Sequence, residues 1–124
     1  MRILLVDDEK EFVATLAERL SLRGIDADWV TSGEEALQCA ADGSHELAIL
    51  DVKMPRIGGL ALKEQLHDML PRMKFIFMTG HGSEQDFKTA IHQAEVEYYL
   101  VKPVPIDTLI AKIHEVMAKA QGQP

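Results

Sequence analysis

The sequence predicts an α/β domain, a doubly wound five-stranded parallel sheet of order 2-1-3-4-5 with five helices. Three observations carry this. Five short runs rich in apolar residues alternate with stretches whose apolar residues recur at helical spacing. The connections are short, and right-handed crossovers then leave a parallel sheet covered on both faces. Finally, Leu47-Ala48-Ile49-Leu50 reads as a strand buried on both faces that ends on a carboxylate, Asp51, with Pro55 barring continuation. Five units suit the order 2-1-3-4-5.

The elements follow in chain order. The first strand, 2–6, is apolar on both faces through Ile3, Leu4, Leu5 and Val6, and Asp7-Asp8-Glu9 ends it. A helix over 10–23 places Phe12, Val13, Leu16, Leu20 and Leu22 near helical spacing, with Gly24 as its stop. The second strand, 26–30, alternates less cleanly and is assigned to the sheet edge. Thr31-Ser32-Gly33-Glu34 matches a capping box for a helix ending near Ala41, and Asp42-Gly43-Ser44 is a turn before the Asp51 strand. Gly58-Gly59 leads to a helix over 60–69, halted by Pro71. The fourth strand, 74–78, ends at Thr79-Gly80-His81-Gly82, and Ser83 with Asp86 caps a helix to about Ala94. The fifth strand, 98–101, ends at Lys102-Pro103. A last helix, 106–120, carries Ile106, Leu109, Ile110, Ile113, Val116 and Met117 as one stripe.

At 124 residues the chain is expected to form one domain over 1–120, with 121–124 a C-terminal tail or the start of a linker. A net charge of -7 without a Lys/Arg cluster argues against direct nucleic-acid binding. No apolar run reaches membrane-span length and the amino terminus enters a strand directly, so a cytoplasmic protein is expected. Cys39 has no internal disulfide partner and sits in an apolar row, the pattern of a small core residue rather than a reactive thiol. Of the five histidines, His45, His67, His92 and His114 lack paired spacing and read as solvent-exposed. Glu34-Glu35 and Lys63-Glu64 read as solvated helix faces, and Trp29 as core edge.

In isolation Asp51 would merely begin a turn. With strands one and three adjacent, however, Asp7, Asp8 and Asp51 converge at the carboxyl ends of the strands, and Thr79 and Lys102 approach from strands four and five. Carboxylates packed together repel unless a cation sits among them. Mg2+ fits, taking carboxylates, waters and a phosphate oxygen; Ca2+ fits less well, because no loop offers enough oxygens. An aspartate can attack phosphorus, a lysine and a metal can neutralise the phosphoryl oxygens, and a threonine hydroxyl can donate to one of them.

Asp7-Asp8, Asp51 with Met54-Pro55 and Gly59, Thr79-Gly80 and Lys102-Pro103 together resemble the receiver domain of bacterial two-component response regulators, over nearly the whole chain. The resemblance implies the flavodoxin-like receiver fold, as in the chemotaxis regulators. It implies that Asp51 accepts a phosphoryl group from a phosphohistidine on a sensor histidine kinase or phosphotransfer protein. It also implies Mg2+ bound by Asp8, Asp51 and the Lys53 backbone carbonyl, with Asp7 acting through water. Lys102 would pair with the phosphoryl group, Thr79 would move to bond it, Tyr99 matches the switch aromatic, and Pro103 matches a proline commonly preceded by a cis bond. Such a protein is a signalling switch, not an enzyme on other substrates. It meets a downstream protein or output domain through the face of the fourth helix, fifth strand and fifth helix. Thr79-Gly80-His81-Gly82 looks most like receivers of sigma-54-type activators.

Two positions depart from that pattern: Gly58 stands where many members carry an acid, and Glu95 where glycine is usual, which bears on the loop 95–98. Lys53 and His81, each two residues past a strand end, would flank the approach of hydrolytic water and are candidates for setting the phosphate lifetime. The competing function is a Mg2+-dependent phosphohydrolase working through an aspartyl-phosphate. Enzymes resembling the haloacid dehalogenases carry a second Asp where this chain has Lys53, and a cap domain for which this chain offers no segment. A flavodoxin-like cofactor binder is a third reading, but Asp7-Asp8-Glu9 would repel its phosphate.

Overall fold

Runs apolar on both faces can be satisfied only between two helical layers, and the chain builds that sandwich. A computed structural model describes residues 1–80 and 98–120. Its strands are β1 (Arg2–Val6), β2 (Asp26–Val30), β3 (Leu47–Asp51), β4 (Lys74–Thr79) and β5 (Tyr99–Val101), and its helices α1 (Lys10–Ser21), α2 (Gly33–Ala40), α3 (Gly59–Met69) and α4 (Ile106–Ala120). The strands are all parallel, in the order β2-β1-β3-β4-β5. The helix expected over 83–94 lies outside the described residues.

Alternate residues of each strand serve opposite layers. Ile3, Leu5, Leu47, Ile49, Ile76 and Met78 pack with α1 and α4 through Val13, Leu16, Leu20, Leu109 and Ile113. Leu4, Val6, Ala48, Leu50 and Phe77 pack with α2 and α3 through Ala36, Ala40, Leu62 and Leu66. Full burial of each such Leu or Ile stabilises by roughly 1.5–3 kcal/mol, which makes the central pair β1 and β3 the firm base of the fold. Both cores end where Asp7 and Asp51 begin, so these two carboxylates are held by the most buried strands of the sheet. β2, the expected edge strand, is only partly buried.

Several boundaries differ from the sequence expectation for local reasons. α1 closes at Ser21, before residue 23. Gly24 adopts φ +79, and the pair Ile25 N–H to Leu20 O and Gly24 N–H to Ser21 O completes a Schellman stop. Leu22 is thereby turned out of the apolar stripe and is 78% exposed. The capping box is displaced by one residue: Ser32, not Thr31, caps α2, accepting from Glu35 N–H at 3.2 Å. Ser32 and Thr31 hydroxyls both donate to Glu35 Oε1. Gly33 is buried against Ile57, where a Cβ would clash, and this close approach fixes where α2 starts. β4 runs one residue further than expected, through Thr79. Trp29 is turned outward on the edge strand rather than lining the core edge. The turn at Asp42-Gly43-Ser44 forms as expected, Asp42 accepting from Ser44 N–H at 3.0 Å and Oγ at 2.8 Å, with Gly43 at φ +74.

Candidate functional site

β1 and β3 are neighbours, with Val6 opposite Leu50, so the residues that follow them emerge side by side. One ligand oxygen from each of Asp7, Asp8 and Asp51 falls within 4.8 Å of the others. Asp7 and Asp51 are buried and Asp8 is exposed, giving a cluster with one open side. Asp7 is locked by its own turn, its Oδ1 accepting from Glu9 N–H at 2.9 Å.

Lys102 reaches this cluster because β5 pairs with β4, and its N–H donates to Thr79 O at 2.8 Å. Its Nζ lies 2.6 Å from Asp7 Oδ2, 3.4 Å from Glu9 Oε1 and 3.8 Å from Asp51 Oδ2, and 4.8 Å above the Phe12 ring. The contact with Asp7 is a close ion pair with a buried carboxylate oxygen. Burial opposes the Lys102 charge, but Asp7, Asp51 and Glu9 outweigh it and hold the ammonium above its ordinary range. Asp51 is pushed up to about 6, first by burial and then by Asp7; Asp8 adds to the rise, while Lys102 and the Lys53 N–H oppose it.

Thr79 is fully buried, and among the described residues its hydroxyl makes a long contact of 3.5 Å to Gly80 O. Gly59 is explained by close approach: its N–H donates to Val52 O at 3.0 Å, and a Cβ there would run into the Asp51 carbonyl. The intervening loop turns through Arg56 at φ +66. Gly58, the departure from the family acid, is the N-cap of α3. The Lys102–Pro103 peptide bond is cis. Tyr99 is half-buried against the α2–α3 layer, and the Lys53 side chain is exposed. His81, Gly82, His92 and Glu95 lie outside the described residues, as does the helix expected over 83–94, one of the three elements of the face expected to meet partners.

The family profile for the response regulator receiver domain matches residues 3–114. The chain belongs to this family. The receiver domain is 31% identical over 98% of its length to the response regulator MprA of Mycobacterium leprae, and 30% identical over 98% to the two-component response regulator PhoP of Pseudomonas aeruginosa. It spans about half of these relatives, 53% and 54% of their lengths. Among solved structures it is similar to a CheY-like receiver domain protein of Methanospirillum hungatei, with TM-score 0.86, 29% identity and coverage of 98% of this chain and 96% of that one. It also resembles NtrX of Brucella abortus, with TM-score 0.86 and 26% identity over 97% of this chain and 27% of that one. Among the described residues no helix is long and apolar enough to cross a membrane.

Sequence reasoning missed two residues here. Glu9 follows the acidic pair directly and its position next to Asp7-Asp8 was a usable signal; Phe12, beneath Lys102, gave none. It also misjudged His45, which is not solvent-exposed but 4% exposed, with Nε2 2.8 Å from Asp28 Oδ2. The partner is on β2, and only the sheet order brings it near. His67 and His114 are exposed as expected. Cys39 packs half-buried on the α2–α3 layer, its thiol pushed up by burial and then by Asp28, so it is not an activated nucleophile.

Proposed function

We propose that the receiver domain takes a phosphoryl group on Asp51 from a phosphohistidine of a sensor histidine kinase or phosphotransfer protein, and thereby changes the surface it offers a downstream partner. The observation that carries this is three clustered acids at the strand ends with Lys102 Nζ 3.8 Å from Asp51. An Asp51 oxygen attacks phosphorus as the P–N bond breaks, and the electron pair leaves with the donor imidazole. Lys102 shifts its charge from Asp7 towards the phosphoryl oxygens, and the weakly held Thr79 hydroxyl donates to one of them.

The residues present fit Mg2+: the donor set is all hard oxygen, three carboxylates clustered within 4.8 Å with one side open. Asp8, Asp51 and the Lys53 carbonyl would hold the ion, with Asp7 acting through water. When bound it supplies positive charge against the phosphoryl oxygens. Tyr99, at the start of β5, would turn further inward once Thr79 moves, biasing an existing equilibrium. The family match over 3–114 supports reading 1–120 as the domain and 121–124 as tail or linker. A cytoplasmic signalling role follows from the same reading.

The test is incubation with acetyl phosphate and Mg2+. Acid-labile incorporation of one phosphate, lost in Asp51→Asn and without Mg2+, is the expected result. Label retained by that variant overturns the reading, and sustained turnover of unrelated phosphomonoesters would favour a phosphohydrolase instead.

A further inference from the structure

The start of α1 carries two side chains to one ammonium. Asp7 Oδ1 accepts from Glu9 N–H at 2.9 Å and Val13 N–H donates to Glu9 O at 3.0 Å, so the chain passes from the acid cluster straight into the helix. Glu9 and Phe12, three residues apart, then share one helix face. Both meet Lys102, whose Nζ is 3.4 Å from Glu9 Oε1 and 4.8 Å from the centre of the Phe12 ring. We propose that Phe12 is a positioning residue for Lys102: its ring face holds the ammonium within reach of both Asp7 and Asp51. The effect on rate rests on Asp51 being the phosphoacceptor; the contact itself does not.

Geometry sets Phe12 apart from the other partners of Lys102. The carboxylates of Asp7, Glu9 and Asp51 stand 2.6, 3.4 and 3.8 Å from Nζ. The nearest, Asp7, is not the group that takes phosphate, so the ammonium has to leave it to serve a phosphoryl group on Asp51. An aromatic face attracts a cation over a broad area, out to about 6 Å from its centroid. Nζ lies inside that range and can shift between the carboxylates without giving up the ring. The ring also adds no negative charge, whereas a further carboxylate in its place would deepen the repulsion among Asp7, Asp8 and Asp51.

Burial decides between the two contacts from α1. The Lys102 side chain is 14% exposed, against 67% for Glu9. An ion pair with so exposed an acid contributes little, while attraction to a ring face strengthens as water leaves. Phe12 is half-buried and packs on the α1–α4 core, which steadies the ring. Of the two, Phe12 is the one that keeps Lys102 in place.

The experiment makes two changes at position 12 of the full chain. Phe12→Leu removes the ring and keeps an apolar, helix-forming side chain. Replacing Phe12 by a trifluorinated phenylalanine keeps the ring but drains negative charge from its face. In the parent, NMR should show the Lys102 ε-methylene protons shifted upfield by the ring, and Phe12→Leu should lose that shift. With acetyl phosphate and Mg2+, both changes should slow labelling, by roughly three- to tenfold. Unshifted Lys102 protons in the parent overturn the proposal. So does labelling at the parent rate with the fluorinated ring, because a merely structural ring would be indifferent to fluorination. A parent that shows the shift but takes no phosphate overturns the reading of Asp51 and upholds the contact, so the two fail separately.

Discussion

Asp28, towards the amino-terminal end of the sheet, lies 2.8 Å from both Arg2 and His45, whereas at the carboxyl end Asp7 and Asp51 share the ammonium of Lys102 and Asp8 stands beside them. The first group sets one guanidinium and one imidazole against a single carboxylate. The second leaves negative charge uncompensated, and Asp51 responds by rising from 3.8 to about 6. Both groups stand on the same parallel sheet and set aspartate against a basic side chain. What separates them is whether the charges close, and the open set is the one suited to drawing in a metal and a phosphoryl group.

The largest effect expected from breaking this contrast is all-or-none. Asp51→Asn should abolish phosphate incorporation from acetyl phosphate, while Asp28→Ala should label at the parent rate. A labelling defect of similar size in both variants would show that the two ends are not functionally separate.

Stability sharpens the comparison through opposite signs. The folded-state pKa of Asp51 is raised, so between about pH 4 and pH 6 the native state binds the proton more tightly than the unfolded chain. Its contribution is therefore favourable at low pH and is lost as pH rises through that window. The shift from 3.8 to about 6 corresponds to roughly 3 kcal/mol at neutral pH. In metal-free buffer Asp51→Asn should gain up to that amount at pH 7 and little below pH 4, read by urea unfolding of variant and parent side by side. Mg2+ should erase most of the difference. A pH-independent difference would remove the repulsion account.

At the closed end the sign reverses. Asp28→Ala strips buried His45 of its partner and should destabilise by about 1–3 kcal/mol, because the ring Nε2–H is left unsatisfied. His45→Leu combined with Asp28→Ala should recover part of that loss. If Asp28→Ala unfolds at the same urea concentration as the parent, the network is not structural.

The same contrast explains what could be read from the chain beforehand. The carboxyl-end site was legible because each member closes an apolar run: Asp7 after Val6, Asp51 after Leu50, Thr79 after Met78, Lys102 after Val101. Strand ends are visible in sequence, and the strand order, once chosen, brought them together. The Arg2–Asp28–His45 group was invisible because Asp28 lies inside an irregular edge strand and His45 in a connection, with no spacing that links them. Local shifts such as the cap at Ser32 turn on the contact of Gly33 with Ile57, a tertiary fact that no four-residue window contains. Gly59 belongs to the sequence motif, and only the approach of the Asp51 carbonyl gives its reason.

The smallest effect is expected at Lys53, which borders the open set without belonging to it. Its backbone N–H supports the Asp51 carboxylate, but its side chain is exposed, so substitution should leave stability within about 0.5 kcal/mol of the parent. Loss of the phosphoryl group requires a water in line with the bond to Asp51, and a side chain helps only if it can accept from that water. An ammonium donates and accepts nothing, whereas an amide oxygen accepts. Lys53→Asn should therefore speed phosphate release, by on the order of tenfold at most, equivalent to about 1.4 kcal/mol. Pairing it with His81→Glu should increase the effect if both residues flank the water. The measurement is release of labelled phosphate with Mg2+ present. Decay of the double variant at the parent rate would take Lys53 and His81 out of the control of signal lifetime and leave it to the buried cluster alone.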